Sequence, residues 1–346
     1  MTKGNFMLNV SKLKAGDIMT FEGERNEDGK LDPLSHLIMI LTDSEVSHAG
    51  LFIQEDPPAM ADAALSGLHA HLVADKGTPL RPVHICRVKK TDDTNISPVI
   101  NAAKKYIEQN LVYPLPDLIL LGMILIYKNI SHVSLKQKVV IGLLKLVTAK
   151  IKSILEDKKY EGKRPMICSE FVYQCYEDAS KIDPQFKLVL KNADLKISLR
   201  QRTSITLLDH FINYHASQQD ILRYSDDKTQ IHFNNTFNDD IYQSESTLIQ
   251  EAIDGIDHGE KLFRENEELS LAVQNFLIVE QELRGKPIDS FKNLIDNAKD
   301  QQAFFVTPND LFCHISNADY LGKLDIYRNS DELTELKDES DTKKHS

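Results

Sequence analysis

Along the first quarter of the chain, from Lys14 to Val88, apolar and polar positions form short, strand-like runs broken by turns. Gly16-Asp17 leads into Ile18 to Phe21, a short strand followed by the polar loop GERNEDGKLD, and Pro33 to Thr42 reads as a short helix. Val46 to Gln54 is a second strand, with His48, Gly50 and Phe52 on one face and Ala49, Leu51 and Ile53 on the other. After the turn Asp56-Pro57-Pro58, strands are expected over Ala59 to Leu65 and His84 to Val88. Near Ser97 the pattern changes to helical spacing, first over Pro98 to Asn110 and then over Leu135 to Leu155, where lysines interleave with the apolar positions. Between them, Leu118 to Tyr127 is the most apolar stretch; it falls short of the roughly 20 residues a membrane-spanning helix needs, and reads as a buried helix.

Met166 to Ser180 is helical in its later part, and 195–300 reads as a helical region with a break near Asp226 to Asp240. Within it, Ile249 to Leu283 carries continuous helical periodicity that Gly285-Lys286-Pro287 ends. The tail from Asn329 is charged and expected to be disordered, and no internal repeat is visible.

Composition narrows the class. With 346 residues, 41% hydrophobic and 27% charged, the chain is long enough for one large or two ordinary globular domains. A net charge of −11 and a pI near 5.6 argue against a nucleic-acid partner, which demands a basic face. The four cysteines show no CxxC pair and no zinc-site spacing with histidine, and no HExxH occurs, so neither a cofactor nor a metal is expected. So few cysteines in so long a chain, with no secretory signal at the N-terminus, suggest a reducing compartment and a cytoplasmic protein.

Cys168 is the residue with the most chemistry in its surroundings. Arg164-Pro165 precede it and the helical run starts at or just after it, placing it at a helix N-terminus. There the free N–H groups and the positive end of the helix dipole favour a thiolate and can donate to an oxyanion. Cys175, two turns on, reads as core. His48 is the natural base for such a thiol, lying in an apolar strand beside the small residues Ala49 and Gly50, which leave room next to the imidazole. Glu170 reads as a cap or as the partner of a base such as Arg164, and Asp310 as the cap of a short helix.

Taken together, Gly-Asp-Ile at 16–18, Ser-His-Ala-Gly-Leu-Phe-Ile at 47–53, Cys-Ser-Glu-Phe-Val at 168–172 and Thr-Pro-Asn-Asp-Leu at 307–311 resemble the circularly permuted branch of the NlpC-type papain-like hydrolases, the YiiX-like and lecithin:retinol acyltransferase-like proteins. In that branch the histidine strand precedes the cysteine helix. The resemblance implies an α+β fold whose core, residues 10–190, is a small antiparallel sheet packed by the nucleophile helix, with 303–328 returning to it, 195–300 as a helical insertion and 330–346 as an acidic tail. It also implies a third polar residue that orients the imidazole. Asp62 occupies the matching position, where the commoner residue is Glu, and His69 and His71 are rivals for the role.

The expected activity is hydrolysis of an amide or ester through an acyl-cysteine intermediate, with Cys168 as nucleophile, His48 as base and Asp62 as orienter. Acyl transfer differs only in the group that resolves the intermediate, and a non-catalytic binding protein on a retired hydrolase fold is the contrasting class. The apolar segment 115–127 and the basic stretch 135–155 lean the substrate towards an acyl-lipid rather than a peptide and suggest peripheral membrane contact. The tail SDELTELKDESDTKKHS looks like the translocation signals of effectors delivered into host cells by type IV secretion.

Overall fold

The computed structural model describes residues 9–25, 28–64, 67–74, 78–89, 95–109, 115–130, 133, 135–157, 166–191, 206–222, 245–256 and 266–328. The fold is α+β. Six antiparallel strands, β1 (Ile18–Glu22), β2 (Val46–Glu55), β3 (Pro58–Ala64), β4 (Gly67–Ala74), β5 (Thr78–Val88) and β6 (Ala318–Arg328), form a closed barrel in the order β1-β2-β3-β4-β6-β5. The sequence reading expects a small antiparallel sheet and sees 303–328 only as a segment returning to it. Strand β6 instead supplies the closing stave, running along β5 from Val88↔Ala318 to Thr78↔Arg328 and meeting β4 at Val73↔Arg328 and Ala74↔Tyr327. Closure removes the free edges that β4 and β5 would otherwise expose.

Alternation along the strands builds two cores. Met19, Phe21, Phe52, Met60, Val83, Ile85 and Leu324 fill the barrel. Ile18, Ala49, Leu51, Ala61 and Val88 face outward into a larger core shared with the helices. The helices around that core are α1 (Pro33–Leu41), α2 (Ser97–Glu108), α3 (Pro116–Tyr127), α4 (Gln137–Glu156), α5 (Cys168–Ile182), α6 (Leu207–Leu222), α7 (Glu245–Asp254), α8 (Glu267–Leu283), α9 (Phe291–Phe304) and α10 (Pro308–Cys313). Helix α5 lies on β2 and β3, and α8 packs on α4.

The most apolar stretch is α3, buried from Leu118 to Tyr127. The apolar stripe of α4 is buried as well, and its lysines Lys145 and Lys150 pair with Glu268 and Glu245 of the neighbouring helices. Both segments therefore turn their apolar surface into the protein. Among the described residues, no helix is long and apolar enough to cross a membrane.

The periodicity that reads as continuous over Ile249 to Leu283 belongs to two helices. Helix α7 stops at Asp254 before Gly255, and α8 starts afresh where the Asn266 side chain accepts from the Leu269 N–H. Gly285, at φ +64°, ends α8 in a conformation glycine adopts without penalty. The expected break at 226–240, Arg164-Pro165 and the tail 330–346 lie outside the described residues.

The α3–α8 contact is close enough to test. A methyl group on Gly122 would stand 2.4 Å from Phe276 Cε2 and 3.0 Å from Val147 Cγ1. Gly122→Ala is expected to lower stability by about 1–3 kcal/mol through overpacking, read as a shift in the urea midpoint; an unchanged midpoint would mean that α8 is not seated on α3 as described.

Candidate active site

Strand register brings the first two site residues together. His48 is the third residue of β2, and Asp62 lies near the far end of β3, opposite Gly50. On an antiparallel pair this makes Asp62 the diagonal neighbour of His48 on the same face, the face that looks into the barrel end. Gly50 is needed for that approach, because a Cβ there would lie 3.0 Å from the Ala61 carbonyl oxygen and 3.3 Å from Asp62 Cβ. The small residue therefore admits a neighbouring strand, where the sequence reading left room for a strand or a substrate.

His48 Nε2 donates to Asp62 Oδ2 at 2.7 Å, with both residues buried. On the other side of the carboxylate, His71 Nε2 stands 3.1 Å from Asp62 Oδ1. His69 pairs with Asp62 in the β3–β4 register, and its ring lies 6.2 Å from that of His71. Of the three rivals for orienting the imidazole, Asp62 is the one bonded to His48, and His71 braces Asp62 in turn.

The third predicted residue arrives from the helical layer. Cys168 is the first residue of α5, fully buried, and Ile167 before it offers no side-chain cap to the first-turn N–H groups. Three contacts seat this helix. Ser169 Oγ donates to the Val306 carbonyl at 2.7 Å, Tyr176 Oη donates to the Gly16 carbonyl, and Glu170 pairs with Arg284 Nη1 of the α8 C-cap at 2.7 Å. Gly16 holds φ +92°, and a Cβ there would strike Ile96. Its neighbour Asp17 accepts from Arg87 Nε at 2.7 Å, so the Gly-Asp-Ile segment is a structural clamp. Cys175 is buried in the core, and burial pushes its thiol pKa up. Asp310 accepts from the Thr307 N–H and from Lys128 Nζ, closing a capping box on α10.

A fourth residue completes the cluster, and sequence reasoning did not find it. Asp117, in the first turn of α3, places Oδ1 3.8 Å from His48 Nδ1. A ring nitrogen of His48, the Cys168 sulfur and an Asp117 carboxylate oxygen all lie within 4.8 Å of one another. His48 Nδ1 and Asp117 Oδ1 are both buried and without a hydrogen-bond partner. Leu115, just ahead of α3, sits at φ +71°, a left-handed conformation that costs a non-glycine residue about 1–2 kcal/mol. Sequence offers only Pro116-Asp117 at a helix start, which says nothing about proximity to His48.

Electrostatics follow from this packing. Burial opposes a charged imidazole, but Cys168, Asp117 and Asp62 outweigh it and hold the His48 pKa well above its ordinary value. Burial likewise opposes a charged Asp62, and the bonds to His48 and His71 outweigh it, holding the carboxyl well below the usual range. A depressed carboxylate contributes stability above its unfolded pKa of about 3.9, lost as the pH falls further; a raised histidine contributes below about 6.5, lost as the pH climbs through its folded value. The pair is thus worth most between about pH 4 and 6.5. Asp62→Asn is expected to remove much of the stability loss seen on acidifying below about pH 4, measured as denaturant midpoints across a pH series; parallel wild-type and variant curves would contradict it.

Comparison of the chain with family models, with curated proteins and with solved structures finds no match.

Proposed function

We propose that the protein is a cysteine hydrolase that cleaves an amide or ester bond through an acyl-cysteine intermediate, on a circularly permuted papain-like arrangement of strand and helix. The observation that carries this reading is the chain of contacts in which Asp62 holds His48 by Nε2 and a His48 ring nitrogen lies within 4.8 Å of the Cys168 sulfur. A carboxylate that binds one ring nitrogen sets the tautomer and stabilises imidazolium, leaving the other nitrogen to exchange a proton with the thiol. In this reading Cys168 attacks the carbonyl carbon, and the first-turn N–H groups of α5 receive the developing oxyanion. His48 passes the proton to the leaving group, and water or an acceptor alcohol or amine releases the acyl group.

Cys168 has no exposed surface and His48 is 3% exposed, whereas the Asp117 side chain is 27% exposed. Substrate reaches the sulfur when Leu115, just ahead of α3, and the first turn of α3 carrying Asp117 yield. The buried apolar faces of α3 and α4 are accounted for by packing, so the substrate class rests on the carbonyl chemistry rather than on lipid affinity.

The test is covalent. Whole protein is treated with acyl-, peptidyl- and ubiquitin-like electrophiles and the modified residue is mapped by mass spectrometry. A single adduct on Cys168, absent from Cys168→Ala, is expected with one class of probe. Equal labelling of Cys86 or Cys313, or no adduct on Cys168 with any class, would end the proposal.

A further inference from the structure

We propose that Cys168, His48 and Asp117 together form a binding site for zinc, and that the bound ion holds the thiol inactive. This rests on the same residues as the hydrolase reading but goes beyond it, because that reaction forms no bond to Asp117.

Geometry supplies the first argument. Zinc takes sulfur at about 2.3 Å and nitrogen or oxygen at about 2.1 Å, so two tetrahedral ligands stand about 3.4–3.6 Å apart. The Asp117 Oδ1 to His48 Nδ1 separation is 3.8 Å, and all three ligand atoms fall within 4.8 Å of one another. Closing on an ion shortens the widest of these separations by at most about 1.2 Å.

The second argument is that two of the three ligand atoms lack any other partner. His48 Nδ1 and Asp117 Oδ1 are buried without hydrogen bonds, an expensive state for polar atoms unless a ligand satisfies it. His48 is 3% exposed, so its nitrogen is aimed into the cluster rather than at solvent.

The third is the outer contact. A metal-bound histidine almost always donates its other N–H to a carboxylate, which fixes the tautomer and raises ligand basicity. Asp62 does this at 2.7 Å and is itself braced by His71. Cysteine, histidine and carboxylate in one tetrahedral set suit zinc, and three protein ligands leave a fourth position for water.

The remaining histidine–carboxylate cluster among the described residues, Glu22, Glu45 and His84, differs, because the Lys323 ammonium already sits against Glu22. Among the described residues, no ammonium or guanidinium is paired with Asp117.

Binding exchanges a proton for metal. The one proton shared between the Cys168 sulfur and His48 Nδ1 leaves to solvent as Zn–S and Zn–N bonds form, with no change of oxidation state. The ion then occupies the sulfur lone pair that would attack a carbonyl and the nitrogen that would act as base. A small cation enters past the partly exposed Asp117 with less movement of α3 than an acyl substrate requires.

Whole protein, freed of metal by chelation, is titrated with Co²⁺ as a spectroscopic stand-in and then with Zn²⁺. A thiolate-to-cobalt charge-transfer band is expected, absent in Cys168→Ser and formed at least 10-fold more weakly in Asp117→Asn. Asp62→Asn should lose about 10- to 100-fold in affinity. Zn²⁺ should block iodoacetamide modification of Cys168, and a chelator should restore it. Modification that proceeds unhindered, with no cobalt band, overturns the zinc site and leaves the hydrolase reading intact. A band and full protection, with no acyl-type adduct on Cys168 in metal-free protein, uphold the site and overturn the hydrolase instead. Hydrolysis that rises on adding zinc overturns the inhibitory role.

Discussion

Alkylation of Cys168 by iodoacetamide in metal-free protein is expected to slow by about 100- to 10,000-fold at neutral pH in His48→Ala, the span that a positioned base contributes. The thiolate, not the thiol, reacts, and a neighbouring cation favours it. The buried imidazole is that cation, kept charged by the sulfur, Asp117 and Asp62 against the penalty of burial. Removing it leaves a sulfur without exposed surface and with only helix N–H groups to favour charge. The effect should be confined to Cys168; Cys313, half-buried and far along the chain, serves as internal reference. A rate in His48→Ala equal to that of wild type would mean that sulfur and imidazole do not act together, and the catalytic proposal would fall with it.

Arg284→Ala is expected to lower stability by about 3–5 kcal/mol, the loss typical when one member of a buried ionic group is removed. Arg284 is only 12% exposed in its side chain and serves two carboxylates, Glu170 at 2.7 Å and Glu280. Tyr127 Oη adds a longer hydrogen bond to Glu280 at 3.4 Å. Without the guanidinium, the Glu280 carboxylate stays 1% exposed with no cation, and Glu170 loses its partner. The measurement is the denaturant midpoint, and the control is the triple replacement Arg284→Met, Glu170→Gln, Glu280→Gln, which removes the uncompensated charges and should recover much of the loss. A loss below about 1 kcal/mol in Arg284→Ala would mark the group as a solvated surface pair. The consequence extends to the site, since Glu170 is in the first turn of the Cys168 helix. A latch between α8 and α5 makes α8 part of what positions the nucleophile.

The sequence signals that held were local ones. The period-two run at Val46 to Gln54 became β2 with His48, Gly50 and Phe52 on one face, because alternation is a property of any extended backbone. Pro33 to Leu41 formed a helix because Asp32 accepts from the Ser35 N–H and Pro33 needs no donor. Cys168 opened a helix as its flanking sequence indicated, and Leu118 to Tyr127, apolar on every side, was buried on every side. Glu170 did pair with an arginine, but with Arg284. The apparent continuity from Ile249 to Leu283 misled because helical periodicity does not register a chain that stops and restarts in phase.

By itself, then, the sequence determined which element carries each candidate: a histidine on a strand and a cysteine at a helix start. These follow from periodicity and residue type, which act over a few neighbours, whereas Asp62 was marked out only by the family resemblance. Only the tertiary structure decided that β6 closes the sheet into a barrel, that Asp62 rather than His69 or His71 bonds His48, and that Asp117 stands at the sulfur. Those facts depend on strand register and on the docking of α3 and α5, and each is settled by contacts between segments far apart in the chain, where no local pattern carries the information.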